Sequence, residues 1–288
     1  MKSFFSSLCC IHCGSRLIYR ETKLFCKGCG MSFPISKGAV FFRDIEIVDR
    51  LKAVAVSKEE DSLIVRLKNW AKKNPKIFQL LNHLTGVVIG VTAKEVIETL
   101  PDSAIILNIG SGVKAVHPHV INIDYDALPG VRVIADVNKL PFCDNSVDAI
   151  IAESVLEHVV NPEQVVTEIK RVLKPNGIIY IVVPFLLGYH SSPRDYYRWT
   201  HHGLTELLKD FVVDSYGPYW GPTTALISIV GGWLSLVLSL GSTYLYQFWT
   251  IFFMFALAPL TLLDLIIGKH HLAIHLSHGI YFVARKVK

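Results

Sequence analysis

Charged side chains are scarce in this sequence. Only 18% of its 288 residues are Asp, Glu, Lys or Arg, whereas 51% are hydrophobic. The mean hydropathy of +0.40 is too high for an ordinary soluble domain of this size, so we expect part of the chain to contact lipid. The formal net charge of +5 is modest and does not decide between nucleic acid, anionic lipid and a phosphorylated substrate.

The scarcity of charge is most marked between Asp214 and Asp264, where no Asp, Glu, Lys or Arg occurs. Within this block, residues 223–240 and 244–263 each approach the roughly 20 apolar residues that cross a bilayer. We predict an apolar helical hairpin over residues 221–268 that either crosses and returns or enters a single leaflet. Buried helices of a soluble protein are the alternative.

We expect no secretory signal, because residues 1–7 contain no apolar stretch long enough for one. We therefore expect a membrane localisation with the globular part of the chain in the cytoplasm. The bilayer is then one expected partner.

Cysteine is nearly absent after residue 29. Five of the six cysteines lie between Cys9 and Cys29, which in a cytosolic protein favours metal binding over disulfides. Two CxxC pairs separated by twelve residues match the ligand spacing of a closed, structural zinc site. The predicted ligands are Cys10, Cys13, Cys26 and Cys29. Cys9 or His12 could replace Cys10, although the spacing favours Cys10. We assign residues 1–43 to a zinc ribbon.

Residues 44–100 show mixed helical patterns and are predicted to form a helical linker. They include a basic stretch made of Lys68, Lys72, Lys73 and Lys76. A solvated helix face is the favoured interpretation, and contact with a membrane surface or an anionic substrate is the alternative.

From residue 104, short apolar runs alternate with helix-like segments, which predicts an α/β fold with a parallel sheet and crossover helices. The predicted strands cover residues 104–109, 120–123, 131–134, 147–152 and 178–183. One helix is predicted from Asn161 and Pro162 to a stop at residues 174–177. Two more strands, 211–219 and 279–285, enclose the apolar block, so this domain covers residues 101–220 and 276–288.

Three predicted strands end in residues suited to a nucleoside ligand. Gly110-Ser111-Gly112 follows the first strand, where glycines let the backbone approach a ligand. Asp124 ends the second strand and can accept both hydroxyls of a ribose. Asp136 and Val137 follow the third strand, where a carboxylate can accept a hydrogen bond from an adenine amine. Together they indicate an adenosyl ligand.

The ordered motifs LNIGSG, INIDYD, IADVNKLPF, DAIIAESVLEHV, RVLKPNG and IIYIVVPF resemble the class I, Rossmann-like, S-adenosylmethionine-dependent methyltransferases of the small-molecule type. The resemblance implies that Gly110, Ser111 and Gly112 border the methionine and ribose of the cofactor. It also implies that Glu153 lies near the methionine moiety.

Two residues depart from this family pattern. Asn108, included among the cofactor-binding candidates, stands where an acidic residue is usual, and Lys114 stands where a third glycine is frequent. Residues 113–119 are too few for the usual long first helix. We therefore expect the cofactor to have less support from a helix N-terminus than is usual.

A hydroxyl acceptor would require a general base. The catalytic candidates are His158, His190 and Asp195, with structural capping the favoured role for His158. The segment 190–200 resembles methyltransferases of bacterial glycan and surface-polysaccharide pathways. Its Arg194 and Arg198 could hold phosphate or carboxylate, although a structural aromatic lid is equally consistent with the pattern.

Residues 8–42 resemble the small zinc-ribbon proteins that activate tRNA and release-factor methyltransferases, which implies a scaffold or a surface for a protein partner. The sequence thus predicts a membrane-anchored methyltransferase that acts on a lipid-linked or membrane-resident acceptor. A polyprenyl-linked glycan is the first choice and a quinone the second. An rRNA or tRNA methyltransferase is one alternative, disfavoured by the apolar block, so nucleic acid is not an expected partner. A non-catalytic membrane adaptor that binds the cofactor is the other.

Overall fold

The computed structural model describes residues 4–43, 86–190 and 194–287. The basic stretch at residues 68–76 and most of the predicted linker lie outside these ranges.

Eleven strands are present in the described residues, and their bounds follow. They are β1 (Leu17–Arg20), β2 (Lys23–Cys26), β3 (Ser32–Ser36), β4 (Ala39–Phe41), β5 (Ile106–Ile109), β6 (Ile121–Asp124), β7 (Val133–Ile134), β8 (Val147–Glu153), β9 (Leu173–Pro184), β10 (Phe211–Trp220) and β11 (Gly279–Lys286). The α-helices are α1 (Ala93–Ile97), α2 (Pro162–Val172), α3 (His201–Leu207), α4 (Pro222–Leu238), α5 (Thr243–Ala256) and α6 (Asp264–Ile267).

All eleven strands belong to one sheet of order β1-β2-β3-β4-β7-β6-β5-β8-β9-β11-β10. The central strands from β4 to β9 are parallel to their neighbours, whereas β11 and β10 continue the sheet as an antiparallel pair. This is the predicted mixed α/β, Rossmann-like fold. The carboxyl ends of the parallel strands meet at one edge, where such sheets bind their ligands.

The central strands are buried because both faces of the sheet are covered. Leu107 and Ile109 of β5 pack into one apolar cluster together with Val165 and Ile169 of α2. Ile106, which points to the opposite face, packs into a second cluster against α1. The alternation of neighbouring side chains across a strand therefore divides the continuous apolar runs between two cores.

Helix α2 begins as predicted after Asn161, but the Asn161 side chain makes no capping hydrogen bond. Pro162 occupies the first turn, where its fixed φ suits a helix and its missing N–H is not needed. β9 then starts at Leu173, five residues before the predicted strand, because Leu173 already pairs with Val147 of β8.

The N-terminal hairpins are continuous with the central sheet. β4 pairs in parallel with β7, and Val40 lies opposite Val133. A second junction is formed where Cys9 N donates to Pro141 O at 3.1 Å and Cys143 N donates to Ser7 O at 2.8 Å. The ribbon is therefore attached to the rest of the fold by backbone pairing at two places.

A disulfide joins Cys9 and Cys143 at this second junction. The expectation that the clustered cysteines serve a metal rather than disulfides, with Cys9 as a possible substitute for Cys10, is therefore wrong for Cys9. Cys9 and Cys10 are consecutive residues beside the short bridge that Cys9 forms with Arg16, and side chains of consecutive extended residues point to opposite sides. Cys9 thus faces the loop before β8, and Cys10 faces the other cysteines of the ribbon.

Between β10 and β11 the chain forms α4, α5, the 3-10 helix Ala258–Leu263 and α6. We call residues 222–267 the apolar insertion. Its helices are shorter than predicted, and α5 ends at Ala256 because Pro259 cannot continue the hydrogen-bond pattern. α4 runs without a break through Gly231. A Cβ added at this position would be in close contact with the Phe253 side chain of α5.

In the described residues, none of the helices taken singly has the length and apolar character needed to cross a membrane. One pair, Thr243–Ala256 with Ala258–Ile267, meets that requirement jointly and is bent by 42°.

Asp264 fastens the end of the apolar insertion to its beginning. Its fully buried carboxylate accepts hydrogen bonds from Thr223 N at 2.7 Å, Thr224 N at 2.9 Å and the Thr224 hydroxyl at 2.8 Å. A carboxylate at this place satisfies backbone donors of the first turn of α4 and complements the helix dipole. Gly221 is required beside it, because a Cβ there would lie 2.3 Å from the Asp264 Cγ.

Candidate active site

The turn after β5 leaves open space at the ligand-binding edge of the sheet. Gly110 and Gly112 have φ values of +59° and +55°, a conformation that favours glycine. A Cβ on Gly110 would lie 2.7 Å from Val155 Cγ2, whereas a Cβ on Gly112 would meet no atom within 4 Å. Ser111, between them, is buried. The predicted glycine turn therefore has the shape of a ligand cradle.

Asp124 connects this turn to the end of β6. Its Oδ2 accepts a hydrogen bond from Gly112 N at 2.7 Å, and its Oδ1 accepts one from Asp126 N at 2.9 Å. As predicted from the short interval at residues 113–119, no helix lies between β5 and β6. The carboxylate, rather than a helix N-terminus, fixes the glycine turn.

Asn108 lies below this turn and is almost fully buried. Its side-chain amide donates to Asn122 Oδ1 at 3.1 Å and to Lys114 O at 3.4 Å. Asn108 therefore braces the ends of β5 and β6, which gives it a positioning role.

Asp136 and Val137 lie after β7 on the same edge of the sheet. Asp136 Oδ1 accepts hydrogen bonds from the backbone N and the side-chain amide of Asn138, at 2.9 and 2.8 Å. Val137 is half-buried and packs against the main core. The predicted adenine-binding pair thus follows the strand next to the one that ends in Asp124.

Glu153, at the end of β8, forms an ion pair with Lys114 through its Oε2. Its Oε1 is buried and has no hydrogen-bond partner among the described residues. A buried acceptor without a donor is costly, so this oxygen is suited to bind a donor group of a ligand. Lys114, the departure from the family pattern, is thereby explained as the counter-ion of Glu153.

Arg43 and Tyr125 also lie at this edge and were not identified from the sequence. The Arg43 guanidinium lies over the Tyr125 ring and donates to Tyr125 O at 2.8 Å. Tyr125 directly follows Asp124 and is 43% exposed. The available signal for Tyr125 was an exposed aromatic residue next to the carboxylate predicted to bind ribose. Arg43 is brought here only by the pairing of β4 with β7.

The three catalytic candidates come together beyond the ends of β8 and β9. His158 belongs to the 3-10 helix Leu156–His158, and its Nδ1 lies 2.5 Å from Arg194 O. Tyr196 N donates to Glu157 O at 2.7 Å, which docks the segment after β9 onto this short helix. The His158 and His190 rings are thereby placed with their centroids 5.1 Å apart.

Asp195 supports this loop. It accepts hydrogen bonds from His190 N at 2.9 Å and from Arg198 Nη2 at 2.6 Å. The bonds from Arg198 lower the pKa of Asp195 to about 2, so this carboxyl group is unsuited to act as a base near neutral pH. Arg198 also donates to Leu187 O and Gly188 O, which leaves Arg194 as the more exposed of the two predicted anion-binding arginines.

Glu157 was not identified from the sequence, although it is next to His158. Its side chain is fully buried, and neither carboxylate oxygen has a hydrogen-bond partner among the described residues. Burial raises its pKa to about 7. In the sequence, the only feature that could have pointed to Glu157 is the presence of a Glu in an otherwise apolar turn.

In the ribbon, the four predicted zinc ligands lie together, with all four sulfur atoms within 4.8 Å of one another. Cys10 Sγ is 3.5 Å from Cys29 Sγ, and Cys13 Sγ is 3.3 Å from Cys26 Sγ. Tetrahedral zinc with bonds of about 2.3 Å holds sulfur atoms about 3.8 Å apart, so the cluster fits this ion. His12 stacks on Phe33 instead of joining the cluster.

Comparison with known proteins identifies the central part of this fold. Residues 111–181 match the family described as the methyltransferase domain. A 70-residue segment is 39% identical to an uncharacterised methyltransferase of Mycobacterium tuberculosis, over 24% of this chain and 28% of the relative. A 95-residue segment is 36% identical to the sterol 4-C-methyltransferase of Caenorhabditis elegans, over 31% of this chain and 28% of that relative. The matches thus span little more than a quarter of each relative.

Among solved structures, the chain is similar to 1,6-didemethyltoxoflavin-N1-methyltransferase of Burkholderia thailandensis, which was determined with bound 1,6-didemethyltoxoflavin and S-adenosylhomocysteine. The TM-score is 0.46 at 15% identity, covering 94% of this chain and 99% of that one. Residues 111–181 are thus similar in sequence to a methyltransferase domain.

Proposed function

We propose that this protein is an S-adenosylmethionine-dependent methyltransferase that works at the cytosolic face of a membrane on a lipid-linked or membrane-resident acceptor. The observation that carries the proposal is the hydrogen bond from Gly112 N to Asp124, which joins an open glycine turn to a carboxylate at the binding edge of the sheet. The match of residues 111–181 to a methyltransferase domain supports it.

When bound, S-adenosylmethionine supplies a methyl group on a sulfonium for in-line displacement. The residues of the chain supply position. Asp124 would accept the ribose hydroxyls, Asp136 would accept from the adenine amine, and the unsatisfied Oε1 of Glu153 would accept from the methionine amine. For a hydroxyl acceptor, His158 or His190 can take the proton, whereas Asp195 stays in its ion pair with Arg198.

The zinc ribbon has a structural role in this proposal. Four thiolates close the coordination sphere of the ion, so no position remains for a substrate. The two knuckles are built alike, because Gly14 N donates to Cys10 O at 2.9 Å and Gly30 N donates to Cys26 O at 3.0 Å. Zinc would fix both turns and, through β4, the adjoining edge of the sheet.

The membrane assignment rests on the surface of the apolar insertion. Several of its large apolar side chains are 56–88% exposed to solvent. They are Trp233, Leu236, Leu240, Tyr244, Phe248 and Ile266. An exposed apolar surface without charge is typical of a membrane or protein contact. Since the ends of the insertion join β10 and β11, this surface would hold the catalytic edge near the lipid headgroups, where Arg194 can meet an acceptor's phosphate. A polyprenyl-linked glycan is the preferred acceptor and a quinone the second.

Cofactor binding and transfer can be tested together. Detergent-purified protein should bind S-adenosylmethionine in calorimetry and should transfer label from methyl-tagged cofactor to a membrane lipid extract. No heat of binding from correctly folded wild-type protein would refute the methyltransferase. Label in RNA rather than in the lipid extract would refute the acceptor class.

Membrane binding is tested by flotation with vesicles of mixed neutral and anionic phospholipid. Trp233→Glu combined with Phe248→Glu should move the protein from the floating to the soluble fraction. Tyr19→Glu is the matched control, because Tyr19 is 62% exposed on the ribbon, outside the apolar insertion. Equal flotation of the double variant and the control would exclude this surface as the membrane contact.

A further inference from the structure

Glu157, His158 and His190 form a compact group beside the cofactor cradle. Their ligand atoms all lie within 4.8 Å of one another, and Glu157 Oε1 is 3.9 Å from the Nε2 atoms of both histidines. We propose that this group binds a divalent transition-metal ion, separate from the zinc of the ribbon.

The first argument is the isolation of the Glu157 carboxylate. The side chain is fully buried, and both oxygens lack a hydrogen-bond partner among the described residues. Buried carboxylates are normally paired, hydrogen-bonded or bound to a metal. The His158 and His190 imidazoles, which are metal ligands, each lie 3.9 Å from Glu157 Oε1, and no Lys or Arg is within salt-bridge distance of it in the described ranges.

The second argument is the way in which the histidines are held. His158 Nδ1 must donate to Arg194 O, since a carbonyl only accepts, so in the neutral tautomer Nε2 is the nitrogen that can bind a metal. His190 is held through its backbone N, which donates to Asp195, and its Nδ1 lies between Arg198 Nη2 at 3.3 Å and Asp195 Oδ2 at 3.4 Å. Metal-binding histidines are usually oriented by a carbonyl or carboxylate on the second ring nitrogen, and the contact of His158 with Arg194 O has this form.

Distances and access also suit an ion. Bonds of about 2.1 Å in a tetrahedral site separate ligand atoms by about 3.4 Å, so the observed 3.9 Å requires side-chain shifts of about half an ångström. Two imidazoles and one carboxylate favour Mn²⁺, Fe²⁺, Co²⁺ or Zn²⁺ over Mg²⁺ or Ca²⁺. The His190 side chain is 31% exposed, which gives an ion and a further ligand a route from solvent.

Three protein ligands leave coordination positions open. The role of the ion rests on the proposed function: it would hold an oxygen atom of the acceptor beside the methyl group. His158 and His190 would then act as metal ligands rather than as general bases.

The experiment is a titration of the zinc-loaded full chain with Mn²⁺, in which electron paramagnetic resonance measures the free ion. Mn²⁺ is chosen because oxygen and nitrogen ligands suit it better than the thiolates of the ribbon do. Wild type should bind one Mn²⁺ per chain, and Glu157→Gln and His190→Ala should each weaken binding at least tenfold. His202→Ala, on the exposed surface of α3, is the control and should match wild type.

Circular dichroism and the affinity for S-adenosylmethionine are measured on the same samples. If Glu157→Gln fails to fold, His190→Ala decides, because His190 lies in a partly exposed loop. Failure of wild type to bind Mn²⁺, or equal binding by wild type and the ligand variants, would overturn the metal site. Cofactor binding without Mn²⁺ binding would refute the metal site alone, and Mn²⁺ binding without cofactor binding would refute the methyltransferase alone.

Discussion

Replacing Asp124 by alanine should weaken binding of S-adenosylmethionine on the order of 100-fold. In the structure Asp124 fixes the glycine turn through Gly112 N at 2.7 Å and its own loop through Asp126 N at 2.9 Å. The cofactor would add bonds from its ribose hydroxyls to the same carboxylate. Hydrogen bonds to a charged group contribute about 1.5–3 kcal/mol each, so losing two costs at least about 3 kcal/mol. That corresponds to roughly two orders of magnitude in Kd.

The assay is calorimetric titration with S-adenosylmethionine and with S-adenosylhomocysteine, accompanied by thermal melts. Asp124→Asn should give an intermediate loss, because its amide keeps one acceptor and turns a donor toward the N–H of Gly112 or Asp126. Asp126→Asn is the matched control, since it removes the same charge two residues away from a side chain that makes no hydrogen bond to the glycine turn. If the Kd of Asp124→Ala lies within threefold of that of Asp126→Asn in folded protein, the assignment of Asp124 to the ribose is refuted.

Three further predictions concern the ribbon, the apolar insertion and pH. Elemental analysis should find one zinc per chain in wild type and in Cys143→Ser, and close to none in Cys26→Ser; equal zinc in both variants would contradict the four-cysteine site. Asp264→Ala leaves three buried donors unsatisfied and should lower stability by about 3 kcal/mol, with faster amide hydrogen exchange in α4. Asp214→Ala removes only a partly exposed ion pair and should cost less than about 1 kcal/mol, so equal losses would argue against the Asp264 clasp. Burial lowers the pKa of His278 to about 4 against 6.5 for the unfolded chain, so stability should increase as pH rises from 4 to 6.5, by up to about 3 kcal/mol. Urea unfolding at several pH values should show that His278→Gln loses this increase, and an unchanged slope would disprove it.

The sequence predicted those parts of the fold that depend on local patterns. Buried parallel strands form continuous apolar runs, so β5, β6 and β8 were placed within two residues of their observed bounds. The grouping of the residues that follow the strands, Gly112 and Asp124 among them, was also predictable. The carboxyl ends of parallel strands lie at the same edge of the sheet, so residues that follow different strands come close together.

The parts that were missed depend on contacts between distant segments. The partner of Cys9 is 134 residues away, and nothing in the local pattern indicates that segment 7–9 pairs with segment 141–143. Glu157 acquires its surroundings only when the segment after β9 docks on the short helix that contains it. Helix length in the apolar insertion was overestimated because hydropathy gives the extent of an apolar run and not the break imposed by Pro259.

Because β4 and β7 belong to one chain, their pairing does not depend on the concentration of the protein. Addition of a strand to a sheet edge is a common way for one protein to bind another, and its occupancy then depends on how much partner is present. Here both strands belong to one chain, and the effective concentration of a tethered segment is typically on the order of millimolar. The edge of β7 therefore stays covered at any dilution, and the stoichiometry of ribbon to central sheet is fixed at one to one when the chain is synthesised.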